Sequence, residues 1–234
     1  MEQNVSFKIY CAFAMVLAIS MTGCAFPSGA PDELHELVTV RNLTIKNTCI
    51  KMNPSVSNTH KGGEQNTPVP FQLTVDKRVV SGNETVTLTI AKKDHATIST
   101  FKGVLVEGVN QETEEILGDF VFTDDEPYAK PMTCYGRNGS ATTHKNNDEK
   151  TSLTLKWKAP NLPNTTCVKF YATILVEKKL FWVKKATTLV QVESSSMDPA
   201  SKSKFTCKSS GSSGYLLANG LTLLVFAWIV VLLM

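Results

Sequence analysis

The feature that most constrains this chain is a period-two alternation of apolar and polar residues, repeated in short runs from Phe71 onward. Phe71, Leu73 and Val75 alternate with Gln72, Thr74 and Asp76, which places one apolar row on one face of a strand. Val86, Leu88 and Ile90 repeat the pattern, as do Leu153, Leu155 and Trp157. A longer strand is predicted from Val168, Phe170, Ala172, Ile174 and Val176, and a last one from Thr188, Val190 and Val192, with Lys184 and Lys185 just before it. Turn-forming stretches separate the runs: Ser81-Gly82-Asn83, Asp124-Asp125-Glu126-Pro127, Arg137-Asn138-Gly139 and Ala159-Pro160-Asn161-Leu162-Pro163. No long amphipathic helix competes with them.

Several short strands punctuated in this way predict an all-β fold, an antiparallel sandwich of two sheets, Ig-like in outline. Residues Pro27 to Pro70 are less patterned and read as an extended lead-in pinned by Cys49, and Ser194 to Gly214 as a flexible, serine-rich stalk.

The two ends suggest the compartment. Lys8, the apolar run Ile9 to Ile19 and the small residues Thr22, Gly23 and Ala25 have the order of a secretory signal peptide over residues 1–25. Met21-Thr22-Gly23-Cys24 has the outline of a bacterial lipoprotein box, but the glycosylation signals described below favour a eukaryotic route. From Tyr215 to Met234 the chain is almost wholly apolar and carries no Lys or Arg. Small residues, a polar spacer and a terminal apolar tail are the parts of a glycosylphosphatidylinositol signal, which places attachment at Ser209 or Ser210. The alternative reading of residues 215–234 is a single-pass helix. Both readings put the domain outside the cell, with the membrane as a partner through the anchor.

Roughly 185 residues lie between those ends, enough for one domain with a self-supporting core. Of 24 basic and 21 acidic residues, Lys8 and Glu2 fall in the signal segment, leaving 23 and 20, a net charge of +3 that implies no nucleic acid. Four of the six cysteines, Cys49, Cys134, Cys167 and Cys207, lie beyond the signal segment, spaced unlike close zinc-ligand pairs. They predict two disulfides in any of three pairings. Sequons at Asn42, Asn83, Asn138 and Asn164 fall in polar, turn-like stretches suited to glycans.

The sequence contains no serine-histidine-aspartate order and no glycine-rich phosphate loop, so no catalytic residues, cofactor or metal site are assigned. His60 and His144 lie on segments near Cys49 and Cys134 and are two candidate ligands without a third. Trp157 and Trp182 sit on strands and read as packing residues rather than sugar platforms. Lys92-Lys93, Lys178-Lys179 and Lys184-Lys185 are either solvated strand ends or an attraction for anionic polymers such as lipopolysaccharide or sulfated glycans.

A series of landmarks resembles the reeler domain. Phe26-Pro27-Ser28-Gly29-Ala30-Pro31 is similar to the family's opening, and Cys49, Met52, Pro54 and His60 to its Cys-x-x-Met-x-Pro and following His. Phe101-Lys102-Gly103, Gly118-Asp119-Phe120, Cys134, Thr143-His144, Lys150-Thr151-Ser152, Trp157-Lys158-Ala159-Pro160, Val168-Lys169-Phe170, Ala172-Thr173 and Phe181-Trp182-Val183 follow in order. The resemblance covers about residues 26–193, with wider gaps than usual before Cys49 and between Pro54 and His60. It implies the pairs Cys49–Cys134 and Cys167–Cys207. Small insect defence proteins of this family imply recognition of microbial surface components, such as polysaccharide or lipopolysaccharide, without catalysis. Reelin and F-spondin imply instead adhesion or matrix-glycan binding. Ferric reductases add a haem-binding sandwich and a membrane cytochrome, for which this sequence has no counterpart.

Overall fold

The alternating runs become sheet because each can bury its apolar row against the row of another. The computed structural model describes residues 28–30, 37–40, 43–56, 60–194 and 206–207. One sheet has four strands, β3 (Phe71–Val75), β5 (Thr85–Lys92), β10 (Ser152–Lys158) and β7 (Asp119–Val121), adjacent in that order. The other has six, in the order β4 (Val79–Ser81), β12 (Leu180–Glu193), β11 (Thr166–Glu177), β6 (Gly103–Asn110), β9 (Arg137–His144) and β8 (Ala129–Cys134). Only the β4–β12 pairing is parallel; the other pairings within these two sheets are antiparallel.

Between the sheets lies one apolar core. Leu73, Leu88, Ile90, Leu155 and Trp157 come from the first sheet, and Val104, Val106, Phe170, Ile174 and Val190 from the second. Trp157 meets Phe170 edge-on at 5.0 Å, and Phe71 meets Phe101 likewise at 5.2 Å. The Trp157 indole N–H donates to the Leu117 carbonyl at 3.1 Å, so its one polar atom is satisfied inside the core. Gly118 lies against the same ring at φ +65°, where a Cβ would come within 2.3 Å of indole carbons. That position requires glycine on both steric and conformational grounds.

Three expectations are corrected. The described part of the lead-in is not extended: β1 (Leu37–Val40) and β2 (Leu43–Lys46) pair as a hairpin, followed by α1 (Asn47–Lys51) and a 3-10 turn at Pro54–Val56. Arg137-Asn138-Gly139 is not the break; it begins β9, and the chain reverses at Tyr135-Gly136 with φ of 53° and 75°. Two successive positive φ values match the twist of the flanking strands. Lys184 and Lys185 do not precede the last strand but lie inside it. There Ala172 faces Ala186 while Ile174 faces Trp182, so β12 carries extra residues and Lys184 takes φ 53°. A bulge absorbs the mismatch.

Strand directions define two ends. Thr85, Lys158, Asn110, Thr166 and Glu193 mark one, and Lys92, Ser152, Gly103, Glu177 and Leu180 the other.

Candidate functional site

The end at Thr85 carries three sequons. Asn83 sits in the β4–β5 turn, Asn138 near the start of β9 and Asn164 just before β11, and all three are exposed. Here too the sequence returns to the sandwich from its C-terminal side, because Cys207 is bonded to Cys167. Ser194 is fixed at this end by its hydroxyl donating to the Pro163 carbonyl at 2.6 Å and its N–H to Thr165 Oγ1 at 3.1 Å. Asn42, Ser209, Ser210, residues 1–25 and residues 215–234 lie outside the described residues.

At the opposite end, Lys92 closes β5 with Lys93 just after it, and Lys178-Lys179 form the β11–β12 turn, all exposed. Lys102 is held by Glu177 at 2.9 Å and Glu149 at 3.8 Å. These partners raise its pKa, the Glu177 hydrogen bond most. Lys150 is buried, its ammonium donating to the carbonyls of Asp148, Lys102 and Asn146 at 2.7, 3.0 and 3.1 Å. Burial pushes its pKa down against the opposing charge of Asp148. It staples the loop before β10 rather than facing a ligand.

The structure does not gather His60 and His144 into one ligand set among the described residues. His60 Nδ1 contacts the Lys178 carbonyl at 2.8 Å, and the ring packs on Phe181. His144 Nδ1 accepts from the Val104 N–H at 3.3 Å. Trp157 and Trp182 are both buried in the core.

A second cluster covers the outer face of the six-stranded sheet. Cys49 of α1 is bonded to Cys134 of β8, and around this disulfide pack Met52, Leu105, Met132 and Ala141, with Tyr135 and Tyr171 at its margin. Thr173 donates to the Met52 carbonyl at 2.8 Å and Lys184 to the Ile50 carbonyl at 2.8 Å, so the bulge in β12 clasps α1. Lys184 is thereby half-buried and committed, unlike its neighbour Lys185. Beneath them lies Glu107, 2% exposed, with Oε1 at 3.8 Å from Cys134 Sγ. That sulfur has no proton to give while it is in a disulfide. Burial raises the Glu107 pKa to about 8, opposed by the Lys184 charge.

Glu107 was not among the residues singled out by sequence. Its signal is a lone acid within Val104-Leu105-Val106-Glu107-Gly108-Val109, a strand buried on both faces. The cations Lys150 and Lys184 carry no such signal, because a lysine beside turn residues reads as solvated.

A family model of the reeler domain matches residues 47–198. The chain belongs to the reeler domain family. "Putative defense protein 1" of Antheraea mylitta is 28% identical over 182 residues, covering 76% of this chain and 94% of that protein. "Putative defense protein" of Bombyx mori is 32% identical over 127 residues, covering 53% and 71%. Ferric-chelate reductase 1 of Homo sapiens is 36% identical over 87 residues, 36% of this chain but 14% of the reductase. The human F-spondin reeler domain superposes with a TM-score of 0.45 at 19% identity, covering 56% of this chain and 95% of the domain. The family, its defence relatives and two disulfides are those of an extracellular or secreted protein.

Proposed function

We propose that this reeler chain is an extracellular, membrane-displayed recognition protein of innate defence, binding microbial surface components without catalysis. The observation that carries this reading is the division of the sandwich into two ends. Exposed sequons and the Cys167–Cys207 tether occupy one end, and the exposed pairs Lys92-Lys93 and Lys178-Lys179 the other. A glycolipid attached at Ser209 or Ser210 would hold the sequon end toward the membrane and turn the lysine end outward. Lysine pairs on protruding turns attract phosphate-bearing surface polymers such as lipopolysaccharide through long-range charge. The names of the moth relatives support defence over the other roles in the family.

The test is to express the full chain in animal cells and measure capture of labelled bacteria and lipopolysaccharide against capture of host matrix. Selective capture of the microbial material is the expected outcome. Retention of matrix alone overturns the defence reading in favour of adhesion. Release by phosphatidylinositol-specific phospholipase C in the same cells tests the anchor separately.

A further inference from the structure

Glu107 is an acidic side chain that the fold keeps out of water, 2% exposed. Its carboxyl is buried, and among the described residues no N–H or O–H reaches it. An unpaired buried carboxylate is costly and is ordinarily avoided. The sulfurs of Cys49 and Cys134 lie beside it, with one ligand atom from each of the three residues within 4.8 Å of the others. The three arrive from separate elements, α1, β6 and β8. Zinc binds sulfur at about 2.3 Å and carboxylate oxygen at about 2.0–2.2 Å in tetrahedral geometry, which sets ligand atoms roughly 3.5–4 Å apart. The Glu107 oxygen already stands 3.8 Å from Cys134 Sγ, and sulfurs released from their covalent bond must separate to a similar distance.

We propose that reduction of the Cys49–Cys134 disulfide converts this cluster into a buried site for a thiophilic divalent cation, with Cys49, Cys134 and Glu107 as its protein ligands. The reductant is a dithiol: it gives two electrons and two protons to the disulfide and becomes a disulfide itself, leaving two cysteine thiols. Cation uptake then forms two metal–sulfur bonds and one metal–oxygen bond and releases the two thiol protons together with the proton that the buried Glu107 carboxyl holds at neutral pH. Two thiolates, one carboxylate, a divalent cation and the neighbouring Lys184 ammonium sum to zero charge, which suits a buried site. Thiolates select zinc or cadmium over calcium or magnesium. The disulfide form has no thiolate to offer, so the site exists only after reduction. This inference is independent of the lysine end and of any microbial ligand.

The test uses the full chain in nonionic detergent, with Cys11, Cys24, Cys167 and Cys207 replaced by serine so that no other thiols compete. The protein is reduced with a phosphine, which adds no thiol, and titrated with cadmium while thiolate-to-metal absorbance and the far-ultraviolet sheet signal are followed. One cadmium per chain is expected, with sheet signal present in the loaded form. Glu107→Gln should weaken uptake by about tenfold or more, at least the loss that an outer partner of a bound metal brings. Uptake unchanged by Glu107→Gln, no uptake, equal uptake by the urea-unfolded chain, or a reduced chain that cadmium leaves without sheet signal would each overturn the proposal.

Discussion

Replacing Glu107 with glutamine in the oxidised protein isolates the cost of burying one carboxyl. Gln keeps the size of a protonated glutamate and removes the ionisation. The folded pKa is raised from 4.5 to about 8, first by burial, with Lys184 opposing. A raised carboxyl pKa means the fold prefers the protonated form, so stability from this group is complete below pH about 4.5 and is lost as pH rises toward 8. At about 1.4 kcal/mol per pH unit, the wild type should lose roughly 3–4 kcal/mol between pH 5 and pH 8. Of the other groups near it, Tyr135 stays neutral over this range because burial, then Glu107, Glu114 and Glu115, raises its pKa. The Cys49 and Cys134 sulfurs are paired and do not titrate. Urea unfolding at pH 5, 6, 7 and 8 without reductant gives the comparison. The wild-type midpoint should fall across the series and that of Glu107→Gln should fall much less, the two proteins diverging most at pH 8. Parallel profiles would refute the assignment of the pH dependence to Glu107.

Four further changes test other parts of the fold. Gly118→Ala combines a left-handed backbone with a Cβ driven into Trp157; a loss of about 2–5 kcal/mol is expected, read as a lower Tm and altered tryptophan fluorescence. Lys150→Met keeps the buried stem but leaves three carbonyls without their donor; about 2–4 kcal/mol should be lost, with faster amide exchange in the loop before β10. Opening Cys49–Cys134, which closes 85 residues, should cost about 4–5 kcal/mol, and opening Cys167–Cys207, which closes 40, about 4 kcal/mol, measured with paired alanine variants.

The sequence was most readable where one face of a strand is apolar and the other wet. β3, β5 and β10 follow that rule, and their alternation matches the burial residue by residue. β9 was hidden because Ser140, Thr142 and Thr143 are buried through hydrogen bonds rather than apolar contact. β8 was masked by Pro131, tolerated because the strand lies at the sheet edge. The first half of β12 was concealed by Lys184-Lys185, since a bulge gives a lysine a role that no period reveals. Exposure at Asn83 and Asn164 was legible from their turn-like surroundings, whereas Asn138 is exposed although it lies within β9. Their gathering at one end was not, because it depends on strand direction. Glu107 became informative only once the fold set it against the disulfide.

The measurement that tests the functional account most directly is charge reversal at the lysine end. Cells displaying the full chain with Lys92, Lys93, Lys178 and Lys179 all changed to Glu would be compared with wild type for capture of labelled lipopolysaccharide at low and physiological salt. All four side chains are exposed, so the fold should survive. The account predicts that wild-type capture weakens as salt rises and that the variant captures little at either salt, while both chains reach the surface equally. Undiminished capture by the variant at equal display would contradict it.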